Sequence, residues 1–452
     1  MRHLNEYLDC LKGKRIAVLG LGVSNQPLVR LLLSHGLDVT ACDKTASPEK
    51  LALGTLGAKL RLGEDYLEDR DADIIFRTPG MRPDLPQLEK AIANGAVLTS
   101  EMEAFFEVCP CRIIAVTGSD GKTTTTTLIS ELLKAAGKKV WVGGNIGTPL
   151  LDRAAEMTEE DIAVLELSSF QLMTMQHSPE IAVVTNLAPN HLDMHKDMAE
   201  YVDAKKNLFL HQNGKCKLVL NADNDITRSF APEAKGSVQF FSRKEQQPDG
   251  LWADEQAIYR DEQPLLLRDE ILIPGVHNVE NYMAAICAVE GLVPDSVIRQ
   301  VAMTFGGVEH RIELVREKDG VRYYNDSIAS SPSRTIAGLR SFDRKVILIA
   351  GGYDKNIPYD VLGPEIVEHC KRLVLTGATA PKIRAAVEMA VGYDANVLIT
   401  EEYDDFYAAI RAAADAAEAG DVVILSPASA SFDRFKNFME RGEAFKRAVM
   451  QL

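Results

Sequence analysis

Gly118-Ser119-Asp120-Gly121-Lys122-Thr123-Thr124 is a run whose residue types and spacing suit it to hold phosphate groups. Glycines let backbone N–H groups curl around phosphate oxygens at a helix N-terminus. The lysine supplies a point charge for β- and γ-phosphates, and the first threonine hydroxyl can ligate Mg²⁺. Four apolar residues, Ile113–Val116, precede the run and have the character of a buried parallel strand; Leu128–Leu133 after it has helical apolar spacing. The standard phosphate loop needs glycine where Val116 stands, so this is a shorter Thr-Gly-x-x-Gly-Lys-Thr form. The chain is expected to bind a nucleoside triphosphate.

Further polar residues fall where parallel strands are expected to end. Asn145 lies in Gly143-Gly144-Asn145-Ile146-Gly147, Glu166 closes Ile162–Leu165 ahead of Ser168 and Gln171, and His191 follows the strand Ile181–Thr185. Ligands of open α/β sheets sit outside the carboxyl ends of strands, so Thr123, Glu166 and His191 are expected to meet at one metal–phosphate region. Taken singly, each also reads as an ordinary solvated residue.

These residues must be positioned by α/β units, and the chain has room for several. Its 452 residues, 46% of them hydrophobic, allow about three domains at roughly 150 residues each. Strands alternating with helical patterns imply doubly wound, mainly parallel sheets. The expected division is residues 1–99, 100–307 and 308–452, with a small β excursion over 240–275. In the first unit Gly20-Leu21-Gly22 follows a strand and Asp43 ends the next, but the third glycine position holds Asn25. That partial fingerprint supports a phosphate-bearing ligand and not a nicotinamide cofactor. A net charge of −15 argues against nucleic acid or a membrane surface as partner. Seven scattered cysteines lack zinc or redox spacing and suit core thiols of a cytoplasmic protein.

The ordered set TGSDGKTT, GNIG, ELSSFQL, NLAPNHLDMH, YVDAKKNLF, GVHNVEN, EHRIE, NDS, LSPASASFDRFKNF and ERGEAF resembles the Mur ligases, the ATP-dependent amide-forming enzymes of peptidoglycan precursor synthesis. The resemblance spans nearly the whole chain. It implies three domains: a Rossmann-like N-terminal domain for the UDP substrate, a central P-loop-type ATPase domain, and a Rossmann-like C-terminal domain for an amino acid. LSPASASFDRFKNF and the first-domain pattern narrow the implied reaction to addition of D-glutamate to UDP-N-acetylmuramoyl-L-alanine through an acyl phosphate, by a cytoplasmic monomer.

By matching motifs, the resemblance gives Lys122 the phosphates, Thr123 and Glu166 one Mg²⁺, and Glu166 and His191 a second. Lys205 is the position that reacts with CO₂ to become a carbamate and a metal ligand; Lys206 is its one-residue rival. Asn278 and Asn281 fall at the adenine side, Arg311 and Asp326 at ATP phosphate and ribose. Asp43 resembles a uracil-reading acid, with Gly22, Ser24, Asn25, Thr78 and Gly80 lining the UDP site. Asn145, Ser168 and Gln171 are assigned to substrate, and Ser330, Lys355, Ser431 and Phe438 to D-glutamate. Ile328 and Tyr353 depart from the family pattern, which carries lysine and an acidic residue there. Competing readings are another Mur ligase, a folylpolyglutamate synthase, a dehydrogenase resting on Gly20-Leu21-Gly22 and Asp43, and a non-catalytic ATP-binding regulator.

Overall fold

The computed structural model describes residues 3–68, 71–189 and 194–452. The chain forms two compact units, one of Met1–Arg268 with Glu280–Val301, the other of Asp269–Val279 with Ala302–Leu452.

The first unit holds two sheets. The smaller is wholly parallel, in the order Lys59–Leu62, Val39–Asp43, Ile16–Leu19, Ile74–Arg77, Val97–Thr99. Ile16–Leu19 sits at its centre, where the winding reverses, and its side chains are all buried. The turn after it and the turn after Ile74–Arg77 therefore flank one crevice, the usual ligand position in such a sheet. Ser47 caps Pro48–Thr55 by accepting from the Lys50 N–H.

The larger sheet places Arg112–Thr117 between Ile181–Val184 and Ile162–Glu166, with Val140–Gly144 beyond the latter at the edge. All four strands are parallel, so their carboxyl ends open on the same side. Covered on both faces, they need continuous apolar runs rather than alternation, and Ile162–Glu166 is buried throughout. Each fully buried Ile, Leu or Val there stabilises the fold by about 1.5–3 kcal/mol. The other edge continues through Lys217–Asn221 and Ser237–Ser242 into the short strands Leu251–Ala253, Ala257–Arg260 and Gln263–Leu267. The last two pairings are antiparallel, which is the β excursion expected from the sequence.

The second unit carries a six-stranded sheet in the order Glu313–Lys318, Val321–Asn325, Val422–Leu425, Val346–Ala350, Cys370–Thr376, Ile399–Tyr403. Only Glu313–Lys318 runs antiparallel to its neighbour. The four inner strands are mostly buried, and the two edge strands are not. Ile399–Tyr403 and Glu313–Lys318 are charged and half-exposed, so they lack the continuous apolar run that marks an inner strand.

Candidate functional site

The phosphate loop joins Arg112–Thr117 to the helix Lys122–Ala135. Gly121 supplies the turn with φ of 78°, and a Cβ there would lie 2.3 Å from Asn281 Oδ1. Only glycine fits that approach. The loop's own residues are fixed from the neighbouring strand end. The Ser119 N–H donates to the Asn186 carbonyl at 2.8 Å, and the Asp120 N–H to Asn186 Oδ1 at 3.0 Å. Ser119 Oγ lies 2.9 Å from the Tyr201 hydroxyl. Lys122 is folded back, donating to the carbonyls of Gly118 and Ser119 at 3.0 and 2.9 Å. Thr124 is buried under the loop, and Thr125 Oγ1 donates to Asn281 Oδ1 at 3.3 Å.

Glu166 is the focus of this crevice. Buried at the end of its strand, it accepts from Thr123 Oγ1 at 2.7 Å and from Asn145 Nδ2 at 2.8 Å. Three oxygen-bearing side chains, from the start of a helix, the turn after Val140–Gly144 and the end of Ile162–Glu166, thus form one chain, and their hard oxygen donors suit Mg²⁺. Ser168 and Gln171 lie just beyond but satisfy each other: each side chain accepts from the other's backbone N–H, a capping box on Ser169–Leu172.

Lys205 projects into the same region from the helix Met198–Leu210. It is 1% exposed and donates to Thr117 Oγ1 at 3.1 Å and the Gly118 carbonyl at 2.9 Å. Burial, reinforced by the charge of Lys122, holds its ammonium well below the usual lysine range, with Glu166 and Asp120 opposing. Lys206 turns the other way, to a 2.6 Å ion pair with Glu233. His191 lies outside the described residues.

In the smaller sheet a cavity of 370 Å³ is lined by Gly20, Asp43, Lys44, Tyr66, Thr78, Gly80, Met81, Arg82 and Leu85. Asp43 holds two of its loops: Oδ2 accepts from the Leu21 N–H at 2.7 Å and Oδ1 from the Thr45 N–H at 2.9 Å. Burial pushes its carboxyl up, but Lys50 and those N–H groups outweigh burial and leave it below the usual range. Asn25 is fully buried and its amide donates to the carbonyls of Leu19 and Gly20, so it braces the turn from beneath. Ser24 is the half-buried residue before that helix, and Gly22 is exposed on the turn. Arg77, also buried, donates to the carbonyls of Pro79 and Met81 and fixes the Thr78-Pro79-Gly80 turn.

The second unit gathers its residues at the carboxyl ends of Val321–Asn325 and Val422–Leu425. Asp326 is buried and accepts from Ser426 Oγ at 2.7 Å and the Ile312 N–H at 3.3 Å. Arg311 beside it in the loop is exposed, and Asn278 donates to the Pro274 carbonyl at 2.6 Å. The Tyr353 N–H donates to the Ala430 carbonyl at 2.9 Å, tying the loop of exposed Lys355 to the loop of buried Ser431. Ser330 and Phe438 are half-buried, the latter edge-on to His310 with centroids 6.0 Å apart. Arg441 lies beneath these loops and was not singled out in the sequence. Buried, it donates to Ser327 and to the carbonyls of Ser429 and Ala430. An arginine on a helix carries no sign of that burial in its neighbours.

Burial pushes the Asp326 carboxyl up to about 7 from 3.8, despite its hydrogen bonds. Between those values the folded state binds a proton that the unfolded chain has released. Stability from this group is therefore present at low pH and lost as pH rises towards 7. Glu101 and Glu103, also raised to about 7, act with the same sign, so only a comparison with a variant isolates Asp326. Asp326→Asn should melt higher relative to the unsubstituted protein at about pH 8 than at about pH 4.5. A pH-independent difference would contradict this assignment.

The first-unit site has the architecture of an α/β phosphate loop set at parallel strand ends, and the sequence comparisons make the class specific. The chain belongs to the Mur ligase family. Its residues 14–100 match the Mur ligase MurD-like N-terminal domain, 116–289 the Mur ligase middle domain, and 310–429 the Mur ligase glutamate ligase domain. A protein of Acetivibrio thermocellus named UDP-N-acetylmuramoylalanine--D-glutamate ligase is 55% identical, the match covering 99% of this chain and 98% of that one. One of the same name from Ruminiclostridium cellulolyticum is 52% identical, over 99% of each. The fold is shared with the crystal structure of UDP-N-acetylmuramate-alanine ligase from Thermotoga maritima, at 16% identity and a TM-score of 0.57, covering 97% of this chain and 99% of that one.

Proposed function

We propose that this protein joins D-glutamate to UDP-N-acetylmuramoyl-L-alanine at the expense of ATP, in peptidoglycan precursor synthesis. The observation that carries the reading is the Thr123–Glu166–Asn145 chain beside the phosphate loop, centred on the buried Glu166 carboxylate, with Lys205 against the same loop. The alanyl carboxylate attacks the γ-phosphorus of ATP, and ADP leaves. The D-glutamate amine then attacks the acyl phosphate, phosphate departs with one former carboxylate oxygen and the proton the amine gives up, and an amide remains. Both partners in the first step are anionic, so the site must neutralise charge.

The phosphates are assigned to Gly118, Ser119, Asp120, Gly121, Lys122, Thr123 and Thr124. Mg²⁺, held by Thr123 and Glu166 with His191 at a second position, would supply Lewis-acid polarisation of the γ-phosphoryl oxygens. Lys205 completes the set as a carbamate. Its burial supports this, because carbamate formation needs a neutral amine, and a carbamate turns a repelled cation into an oxygen ligand. The nucleotide sugar is assigned to the Asp43, Thr78 and Gly80 cavity, with Gly22, Ser24 and Asn25 at its turn, and to Asn145, Ser168 and Gln171. Asn278, Asn281, Arg311 and Asp326 are assigned to the rest of ATP, and Ser330, Lys355, Ser431 and Phe438 to D-glutamate. The proposed domains are 1–99, 100–307 and 308–452. On this reading the protein works as a cytoplasmic monomer; among the described residues no helix is long and apolar enough to cross a membrane.

Substrate labelled with ¹⁸O in the alanyl carboxylate tests the chemistry. The released phosphate should carry one labelled oxygen per turnover. Unlabelled phosphate, or AMP with pyrophosphate, would overturn the acyl-phosphate route.

A further inference from the structure

Arg82 lines the cavity of the first unit, yet it has no donor left for a molecule inside. A guanidinium has five N–H donors. Here Nε and Nη2 each reach an oxygen of Asp84 at 2.8 Å. Nη1 and Nη2 reach the two oxygens of Glu200 at 3.0 and 2.8 Å, and Nη1 also meets the Met194 carbonyl at 2.5 Å. Lys196 joins the cluster, with Nζ 2.8 Å from Asp84 and its N–H donating to Glu200 at 2.8 Å. The buried His195 ring packs at 3.4 Å from the Glu200 carboxylate. Arg82 is therefore a fastening and not a ligand contact.

What it fastens is informative. Met81 and Leu85 line the cavity on either side of Arg82. Glu200 stands in the first turn of Met198–Leu210, the helix that carries Lys205. The next residue, Tyr201, meets Ser119 of the phosphate loop, and Lys205 donates to Gly118. At 1.5 Å per residue, Lys205 sits about 7.5 Å further along the axis than Glu200. One stiff helix is thus bolted to the cavity wall at its start and to the phosphate loop along its length.

We propose that the Arg82–Glu200 bridge is a positioning device that couples the nucleotide-sugar cavity to the phosphate loop, so that filling either raises affinity at the other. This rests on the assignment of those two sites made above. A ligand pressing on the Met81–Leu85 wall biases the bridge, the bridge biases the helix, and the helix sets where Tyr201 and Lys205 hold the loop.

Calorimetric titration of the full chain tests it. The dissociation constant of UDP-N-acetylmuramoyl-L-alanine is measured with and without Mg²⁺ and a non-hydrolysable ATP analogue. The ratio of the two constants is the coupling, and linkage requires the same ratio for the analogue. The unsubstituted protein should show a ratio of at least about fivefold. Arg82→Gln and Glu200→Gln should each bring it close to one, and the double variant should do no more than either single one. Glu200→Gln keeps the shape of the side chain, and a melting curve on each variant separates loss of coupling from loss of fold. A ratio that survives in both folded single variants, or a ratio of one in the unsubstituted protein, overturns the coupling while leaving the functional reading intact. No turnover of the unsubstituted protein with ATP, this substrate and D-glutamate overturns the functional reading, and the coupling with it.

Discussion

Lys205→Arg should reduce ligation by more than about a hundredfold, beyond the range seen when even an outer partner of a metal ligand is lost. The residue is buried against Thr117 and Gly118, so a guanidinium there keeps a full charge in a site where the proposed carbamate offers oxygen. Lys205→Ala should lose as much, but for a different reason: the space is left vacant. A small carboxylate such as acetate at high concentration should therefore restore part of the alanine variant's activity and do little for the arginine variant. A solvated helix lysine would tolerate both changes, as Lys206, paired with Glu233, should. Full activity of Lys205→Arg in a steady-state assay would sink the carbamate assignment.

Lys122→Ala should abolish ATP turnover, by about 10²–10³-fold or more, the scale set by removal of one electrostatic donor to developing charge. Binding of the nucleotide sugar should survive nearly unchanged. The motivation is spatial: the cavity of Gly20, Asp43, Thr78 and Gly80 is built on the five-stranded sheet, whereas Lys122 opens a helix of the nine-stranded sheet. Turnover is read by ADP release and binding by calorimetry. Equal loss of both would mean a folding defect or a wrong assignment of the cavity.

The phosphate loop and the strand ends around it were legible because they are local. A β-branched run, two glycines and a following amphipathic helix announce strand, turn and helix within about twenty residues, and parallel strands must open on a common side. That reasoning brought Thr123, Glu166 and His191 to one place; the structure hydrogen-bonds Thr123 to Glu166 and adds Asn145 to the same carboxylate, while His191 lies outside the described residues. The burial of Lys205 was not legible. It follows from how Met198–Leu210 is held against Ser119 and the pocket wall, through Tyr201 and Glu200. The same holds for Arg77, Arg82 and Arg441, each of which also donates to a distant segment: Arg77 to the Phe170 carbonyl and Thr174, Arg82 to Glu200, and Arg441 to Ser327. Asn25 was legible as a departure from a glycine fingerprint; that its amide braces the turn depends on how the helix packs beneath the strand end, which spacing does not show. The charged edge strands Glu313–Lys318 and Ile399–Tyr403 escaped because an edge is half-exposed and need not be apolar.

The central claim is tested most directly by ADP release in the presence of ATP, Mg²⁺ and UDP-N-acetylmuramoyl-L-alanine, with one amino acid supplied at a time. Release should depend on D-glutamate, and should stay at background with L-glutamate, L-alanine, a diamino acid or no amino acid. ADP release supported equally by another amino acid, or independent of any, would contradict the account.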